Sequence, residues 1–502
     1  MEVLSVIADV FTPAHLAAML IGVVAGLCIG ALPGLTSNLG VALLLPVTFG
    51  MEPISALIML TSLYTSAIYG GSFSAILLHT PGTSASAATA IDGFALTRKG
   101  EFNKAIRIST FSSVVGGVFS ALVLLAIAPP LSLLSLKFGP PEYFMLAVFG
   151  LTIIGTLASG NMVKGLISGA AGLAISTVGL DLESGFPRFA FGSTDLQGGI
   201  GFVPAVIGLF SLSQALLMCE EPHRTIQRLS ATSGGKWRLL PTRQEIRQIR
   251  ATVARSSLIG VFIGILPGAG GDIGSWAAYN EAKRFSRNDP DFGKGSIRGV
   301  AASETANNAT TGGAMVPLLT LGIPGSPTAA VLLGALVIHG LQPGRTLFTE
   351  HAHITYTVIV GFLLANLVMG FVGMGIGRYM GIIARMPNSI LIAVVLVLSV
   401  VGSYSLGNNM YDVYTMLAFG LLGYLMRKSS FSPAPMVLGL ILGPMAEQGF
   451  RQSVVLADGP VVLHILGSPI SFVLFLLTAL SIASAAYLEF GRKKAAPAMD
   501  AD

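Results

Sequence analysis

One phrase is written twice in this chain, about half its length apart, and that duplication constrains the fold more than any other feature. Gly26-Leu27-Cys28-Ile29-Gly30-Ala31-Leu32-Pro33-Gly34 returns as Gly260-Val261-Phe262-Ile263-Gly264-Ile265-Leu266-Pro267-Gly268, both copies reading GxxxGxLPG. A second phrase follows each copy: Gly70-Gly71 leads to Thr80-Pro81-Gly82-Thr83-Ser84, and Gly312-Gly313 leads to Ile323-Pro324-Gly325-Ser326-Pro327. The order is kept and the spacing nearly so. The chain is therefore an internal repeat whose two halves are interrupted by Pro-Gly at matching places, and each interruption must end a helix.

The solvent around those helices follows from composition. With 53% hydrophobic and 11% charged residues, a soluble chain of 502 residues would lack the polar surface to cover itself. Apolar runs at 16–32, 108–128, 354–377 and 461–487 are long enough to cross a hydrocarbon core of about 30 Å. The expectation is an all-α polytopic membrane protein with roughly 11 to 14 membrane segments, depending on how re-entrant hairpins are counted. A formal net charge of +5 could suggest nucleic acid, but the basic residues cluster by loop. Of the 29, only Lys137, Arg188, Arg345 and Arg451 fall outside one consistent side, which the positive-inside rule makes cytoplasmic. This predicts an N-terminus outside, which is periplasmic in a bacterial inner membrane of the kind the resemblance below implies, a cytoplasmic C-terminus and no nucleic-acid partner.

The same alternation fixes the direction of each half. The first repeat starts outside and delivers the chain to the basic 98–107 loop inside. The second starts inside and delivers it to 339–353. The two repeats thus run with inverted topology, which sets their broken elements face to face about a pseudo-two-fold axis in the membrane plane. The expected division is a first repeat at 1–218, a cytoplasmic connector at 219–255, a second repeat at 256–490 and a cytoplasmic tail at 491–502. Within the connector, Pro241-Thr242 can start a short surface-lying helix with Arg243, Arg247 and Arg250 on one face.

Broken helices at membrane depth survive only where they are buried in protein or line a wet cavity, and matched pairs of them point to a midplane binding site. Their freed N–H groups carry partial positive charge suited to a carboxylate, and their freed carbonyls can ligate a small cation. The substrate-binding candidates are therefore the hydroxyls and amides at the tips: Ser37, Asn38, Thr83, Ser84, Ser86, Ser326 and Thr328. The polar run at 303–311 adds Asn307 and Asn308. The cation-binding candidates are Pro33, Gly34, Pro81, Gly82, Gly268, Pro324 and Gly325, joined by the intramembrane carboxylates Asp272 and Glu304. Aligning Gly312 with Gly70 sets Asn307 and Asn308 opposite Thr65 and Ser66. The GxxxG glycines Gly26, Gly30, Gly260 and Gly264 read as close helix-packing positions, and Asp92 as an interfacial partner of Arg98. Scattered His and two Cys give no metal site and no disulfide framework.

The doubled GxxxGxLPG, the Thr80-Pro81-Gly82-Thr83 element and the run Ala302 to Asn308 followed by Gly322-Ile323-Pro324-Gly325-Ser326-Pro327 resemble the large membrane subunit of tripartite tricarboxylate transporters, the TctA family. The resemblance covers nearly the whole chain. It implies a bacterial inner-membrane importer of citrate or a similar organic carboxylate, working with a small four-helix TctB-like membrane subunit and a periplasmic TctC-like solute-binding protein. It also implies symport with sodium or protons, no other cofactor and no enzymatic activity; no GxxxxGK[ST] nucleotide loop is present. By fold-level analogy, alternating access would be elevator-type. Two rivals remain. An intramembrane aspartyl protease would use Asp272 and Asp412, but residue 269 is Ala where its GxGD motif needs Gly. A channel would also use broken helices.

Overall fold

The computed structural model describes residues 2–134, 137–157, 162–181, 184–220, 238–266, 270–286, 289–377, 379–380 and 386–495. Among them the regular secondary structure is helical apart from one two-residue strand pair, Gly179 against Arg188 and Leu180 against Pro187. In chain order the helices are α1 (Glu2–Val10), α2 (Pro13–Ala31), α3 (Ser37–Leu44), α4 (Pro53–Leu78), α5 (Ala87–Arg98), α6 (Phe102–Leu134), α7 (Pro140–Leu157), α8 (Met162–Ser176), α9 (Thr194–Gln197), α10 (Phe202–Val206), α11 (Ser213–Glu220), α12 (Arg243–Ile265), α13 (Gly270–Phe285), α14 (Ile297–Leu321), α15 (Pro327–Ile338), α16 (Arg345–Thr349) and α17 (Ala352–Ile376). Then come α18 (Asn388–Gly407), α19 (Met410–Lys428), α20 (Pro433–Leu456), α21 (Val461–Gly467) and α22 (Pro469–Ala495).

Six of these segments are long and apolar enough to cross a membrane: α2, α4, α6, 202–220, α17 and α18. A bent pair, 461–467 with 469–483, raises the number to seven among the described residues. The chain is an all-α polytopic membrane protein.

The chain forms two compact units, Met1–Ser132 with Gln214–Leu406, and Leu133–Ser213 with Gly407–Asp502. In the smaller unit, α20 packs on α7 and α8 through glycines: a Cβ on Gly172 would lie 2.1 Å from Met436 O, and one on Gly439 2.3 Å from Gly169 O. A π-helical turn, Ile207–Leu212, packs on α19. Four charges gather beside the strand pair. Arg188 and Arg451 each bond both Asp181 and Glu447.

The larger unit contains both copies of the repeated phrase, and over their described residues the copies adopt the same local geometry. α2 packs along α4, and α12 along α14, because the GxxxG glycines let backbones touch. A Cβ on Gly26 or Gly30 would lie 2.5 Å from Leu63 O or 2.1 Å from Ala67 O; one on Gly260 or Gly264 would lie 2.5 Å from Ala306 O or 2.6 Å from Thr310 O. Each phrase then stops its helix alike: Leu32 and Leu266 are extended and donate to Ile29 O and Ile263 O. The partner helices also end alike, α4 at left-handed His79 and α14 at left-handed Gly322.

These matches correct the register expected from sequence. Gly70 packs on Leu27 O and Gly30 Cα, and it is Gly313, not Gly312, that packs on Val261 O and Gly264 Cα. His79 with Gly322 and Gly82 with Gly325 keep that offset. Asn307 and Asn308 therefore correspond to Tyr64 and Thr65. A doublet of glycines reads the same one residue out of step in text; packing chooses between the two.

The polar start of α12 also differs from expectation. Thr242 and Glu245 form a capping box, each side chain bonding the other's backbone N–H. The helix that starts there runs unbroken for 23 residues into the repeated phrase, instead of lying as a short separate element. Arg107 of α6 pairs with Glu245, and Lys99 reaches Asp291 at 3.0 Å. Burial alone would push the Glu245 carboxyl up, but the Arg107 guanidinium and the Thr242 bonds hold it below the usual carboxylate value. Residues that the charge pattern assigns to one side thus meet one another. Those assigned to the other side do too: Asp9 lies 3.9 Å from His353, and His15 lies 3.3 Å from Glu52.

Candidate functional site

The tips of the two halves meet inside the larger unit. After Gly34, whose φ of 92° suits only glycine, α3 starts at Ser37. After Gly325, α15 starts at Pro327, with Pro at the first helical position and Ser326 as N-cap accepting from Ala329 N–H at 3.1 Å. The Ser37 and Thr328 hydroxyls bond each other at 2.8 Å, both buried. The equivalent of Ser37 is Gly271, and the equivalent of Thr328 is Ala85. These two also meet, since a Cβ on Gly271 would lie 3.2 Å from Ala85 Cβ. The contact between tips is therefore reciprocal.

Further pairs cross between the halves. Tyr64 of α4 bonds Ser326 at 2.9 Å. Ser84 donates to Asp272 of α13 at 2.7 Å, an exposed contact. Asn308 of α14 donates from Nδ2 to Thr65 Oγ1 at 3.0 Å, and Thr65 donates in turn to Asn366 of α17 at 2.7 Å. Since Thr65 and Asn308 are equivalent positions, this bond joins like to like.

Asn307 is different. It is fully buried, yet neither its Nδ2 nor its Oδ1 has a hydrogen-bond partner. Its Oδ1 faces Gly271, 2.5 Å from where a Cβ there would lie, with Thr310 Oγ1 beside it. The buried Thr83 Oγ1, the Ser326 equivalent in the first tip, and Asn308 Oδ1 are also without partners. An orphaned buried polar group costs about 1–3 kcal/mol, so each of these atoms would gain from a partner.

The other candidates divide. Ser86 is spent on its own turn, donating to Thr83 O at 2.7 Å. Asn38 is half-buried one residue into α3. Gly82 and Gly325 are demanded by packing, because a Cβ would lie 2.0 Å from Gly30 O and 2.3 Å from Gly264 O respectively. The carbonyls at the ends of α2 and α12 thus face tip glycines. Pro33 and Pro81 are half-buried at the interruptions and Pro324 is buried, while Gly268 lies outside the described residues. Glu304 sits apart from the tips, fully buried, accepting from Thr89 at 2.5 Å and from Ser113 at 2.9 Å. Asp92 accepts from Tyr279 and from the Gly295 and Ser296 N–H groups that begin α14, instead of pairing with Arg98. Among the described residues no cluster of His, Cys, Asp and Glu could hold a metal ion.

Tyr64 and Asn366 were not singled out from sequence. Tyr64 reads as one more apolar residue of a buried helix until the corrected register sets it opposite Asn307. Asn366 lies in the middle of an apolar run, where an amide is costly, and that was the available signal.

The arrangement presents half-helix N-termini and neutral donors from both halves to one region, which is chemistry suited to holding an anion without a fixed countercharge. The comparisons agree in class. An uncharacterized 52.8 kDa protein in the TAR-I ttuC' 3' region of Agrobacterium vitis is 36% identical over 452 residues, covering 89% of this chain and 88% of its own length. An uncharacterized protein in the TAR-II ttuC' 3' region of the same organism is 35% identical over 201 residues, 40% of this chain and 83% of its own. No solved structure matches. The model of the Tripartite tricarboxylate transporter TctA family matches residues 16–438, and the chain belongs to that family.

Proposed function

We propose that this chain is the large transport subunit of a binding-protein-dependent importer that moves an organic carboxylate, a tricarboxylate or a similar acid, by cation-coupled symport. The observation that carries this reading is the reciprocal meeting of the tips, Ser37 with Thr328 and Gly271 with Ala85, beside the unpartnered Asn307. Contacts that map onto each other when the halves are exchanged are what an inverted repeat about a two-fold axis produces. In this reading Asn307, Asn308, Thr83 and Ser326 hold the carboxylate, with Ser37, Ser84 and Thr328 lining the approach and Asp272 on the cation side of the site. The tip elements carry it across by elevator-type movement, which rests on analogy with other inverted-repeat carriers. Substrate would be delivered by a TctC-like periplasmic protein alongside a TctB-like subunit, in a bacterial inner membrane with the 98–107 and 283–298 loops cytoplasmic.

Uptake of radiolabelled carboxylate by cells carrying the chain with its partner subunits tests this. Asn307→Ala removes a donor to a charged ligand, worth about 1.5–3 kcal/mol or roughly ten- to a hundredfold in affinity. Normal uptake by well-folded Asn307→Ala and Asn308→Ala variants would show the tips to be architecture alone.

A further inference from the structure

Glu304 is a buried carboxyl that the carboxylate site does not use. It lies on α14, three residues before Asn307, with no exposed surface. Its oxygens accept from Thr89 of α5 and Ser113 of α6. Thr89 also bonds Ser303 at 2.8 Å, and Ser303 reaches the carbonyls of Gly299 and Val300 in its own helix. A second hydroxyl pair, Ser109 with Ser72 of α4, stands nearby at 3.0 Å. Every neighbour is neutral.

Three titratable groups on the surrounding elements are bonded elsewhere, and Arg98 is exposed at the far end of α5. On α4, Tyr69 bonds Thr110. On α5, Asp92 is taken by Tyr279 of α13 and by the Gly295 and Ser296 N–H groups. On α6, Arg107 is held by Glu245 and Asn103. Glu304 itself makes no ion pair among the described residues. An ionised carboxylate in such a place would have only neutral hydroxyls, those of Thr89, Ser113, Ser109 and Ser72, against its full desolvation penalty.

The hydroxyl chain accommodates the neutral acid instead. A Glu304 O–H can donate to Thr89 Oγ1 if Thr89 donates on to Ser303 and Ser303 to Gly299 O, while Ser113 still donates to the other carboxyl oxygen. Every donor and acceptor along that path then has a partner. The 2.5 Å separation to Thr89 lies at the short limit for a hydroxyl-to-carboxyl bond.

The geometry points to Glu304 as the proton-carrying residue of the transport cycle: its carboxyl is protonated in this conformation and releases its proton when α5 and α14 part. This rests on the transport reading above and names the proton as the coupling ion. Thr89 lies on the helix that follows the first tip, whereas Glu304 lies on the helix that bears Asn307. A relative movement of these two helices would break the Glu304–Thr89 bond and open the carboxyl to water, where it ionises at neutral pH. Protonation is thereby linked to the same helices that bear the substrate candidates.

Two measurements test it. Infrared spectra of the purified full-length chain at neutral pH should contain the carbonyl stretch of a buried carboxylic acid, and Glu304→Gln, which keeps the shape and bonds to Ser113, should remove it. A wild-type spectrum without the band, or a band that survives the substitution, overturns the proposal. In proteoliposomes with the partner subunits, Glu304→Gln should keep substrate exchange but lose accumulation driven by an imposed pH gradient. Unaltered pH-gradient accumulation, or wild-type accumulation that follows a sodium gradient and ignores a pH gradient, overturns the proton assignment and leaves the transport reading intact. A wild type that moves no carboxylate under either gradient sinks the transport reading itself.

Discussion

The two tips share a backbone and differ in how their polar atoms are satisfied. In one, Tyr64 spans the gap to Ser326 and both hydroxyls are bonded. At the equivalent place in the other, Asn307 and Thr83 stand unpartnered. The phenol ring is long enough to bridge and the amide is not. A repeat thus builds one scaffold twice, and side-chain length decides which copy closes on itself and which keeps donors free.

The scaffold half of this comparison is broken most severely at the tip glycines. Gly82→Val and Gly325→Val each drive a side chain into a helix-end carbonyl, and both should destabilise by at least about 3 kcal/mol, the upper end for overpacking. Thermal unfolding in detergent checks this, and a Val tolerated at one tip and not the other would show that the copies are not equivalent in packing.

Asn307→Leu comes next and separates binding from stability. It removes an orphaned amide, so the melting temperature should hold or rise, while uptake should fall roughly ten- to a hundredfold, as for a lost bond to a charged ligand. A large loss of stability would mean that Asn307 has partners in the resting protein.

Arg107→Ala tests the tie between the halves at the polar face. Removing the Glu245 partner should cost about 1.5–3 kcal/mol, the range for a hydrogen bond to a charged group. Because the Glu245 value is depressed in the folded state, its contribution is present above the ordinary carboxylate value and is lost as pH falls through the folded one. Acid unfolding curves should accordingly converge for wild type and variant at low pH, and a constant gap would refute the pairing.

The smallest effects belong to single hydroxyls. Tyr64→Phe should cost about 1 kcal/mol, and Ser84→Ala, at an exposed contact, less than about 1 kcal/mol. If Tyr64→Phe instead mimics Asn307→Leu in uptake, the two tips contribute equally to binding and the asymmetry between them is only apparent.

Much of this molecule is determined by local chemistry and so is legible in the sequence. Pro-Gly ends a helix wherever it occurs, so the four interruptions at Pro33, Pro81, Pro267 and Pro324 announce the broken elements. The spacing of Gly26, Gly30, Gly260 and Gly264 announces helices whose backbones touch, and the charges of the loops announce which loops gather together. The polar run through Asn307 and Asn308 stands out because amides are costly among apolar residues. Tertiary structure alone decided the rest, since it depends on which neighbour is within reach. Packing against Gly30 and Gly264 chose the register that text left one residue out. The length of Tyr64 against that of Asn307 left one tip open. The N–H groups that begin α14 took Asp92 away from Arg98, and the helices carrying Thr89 and Ser113 closed a neutral cage around Glu304. A residue type fixes what an atom can bond, but only the fold brings a partner within about 3 Å of it.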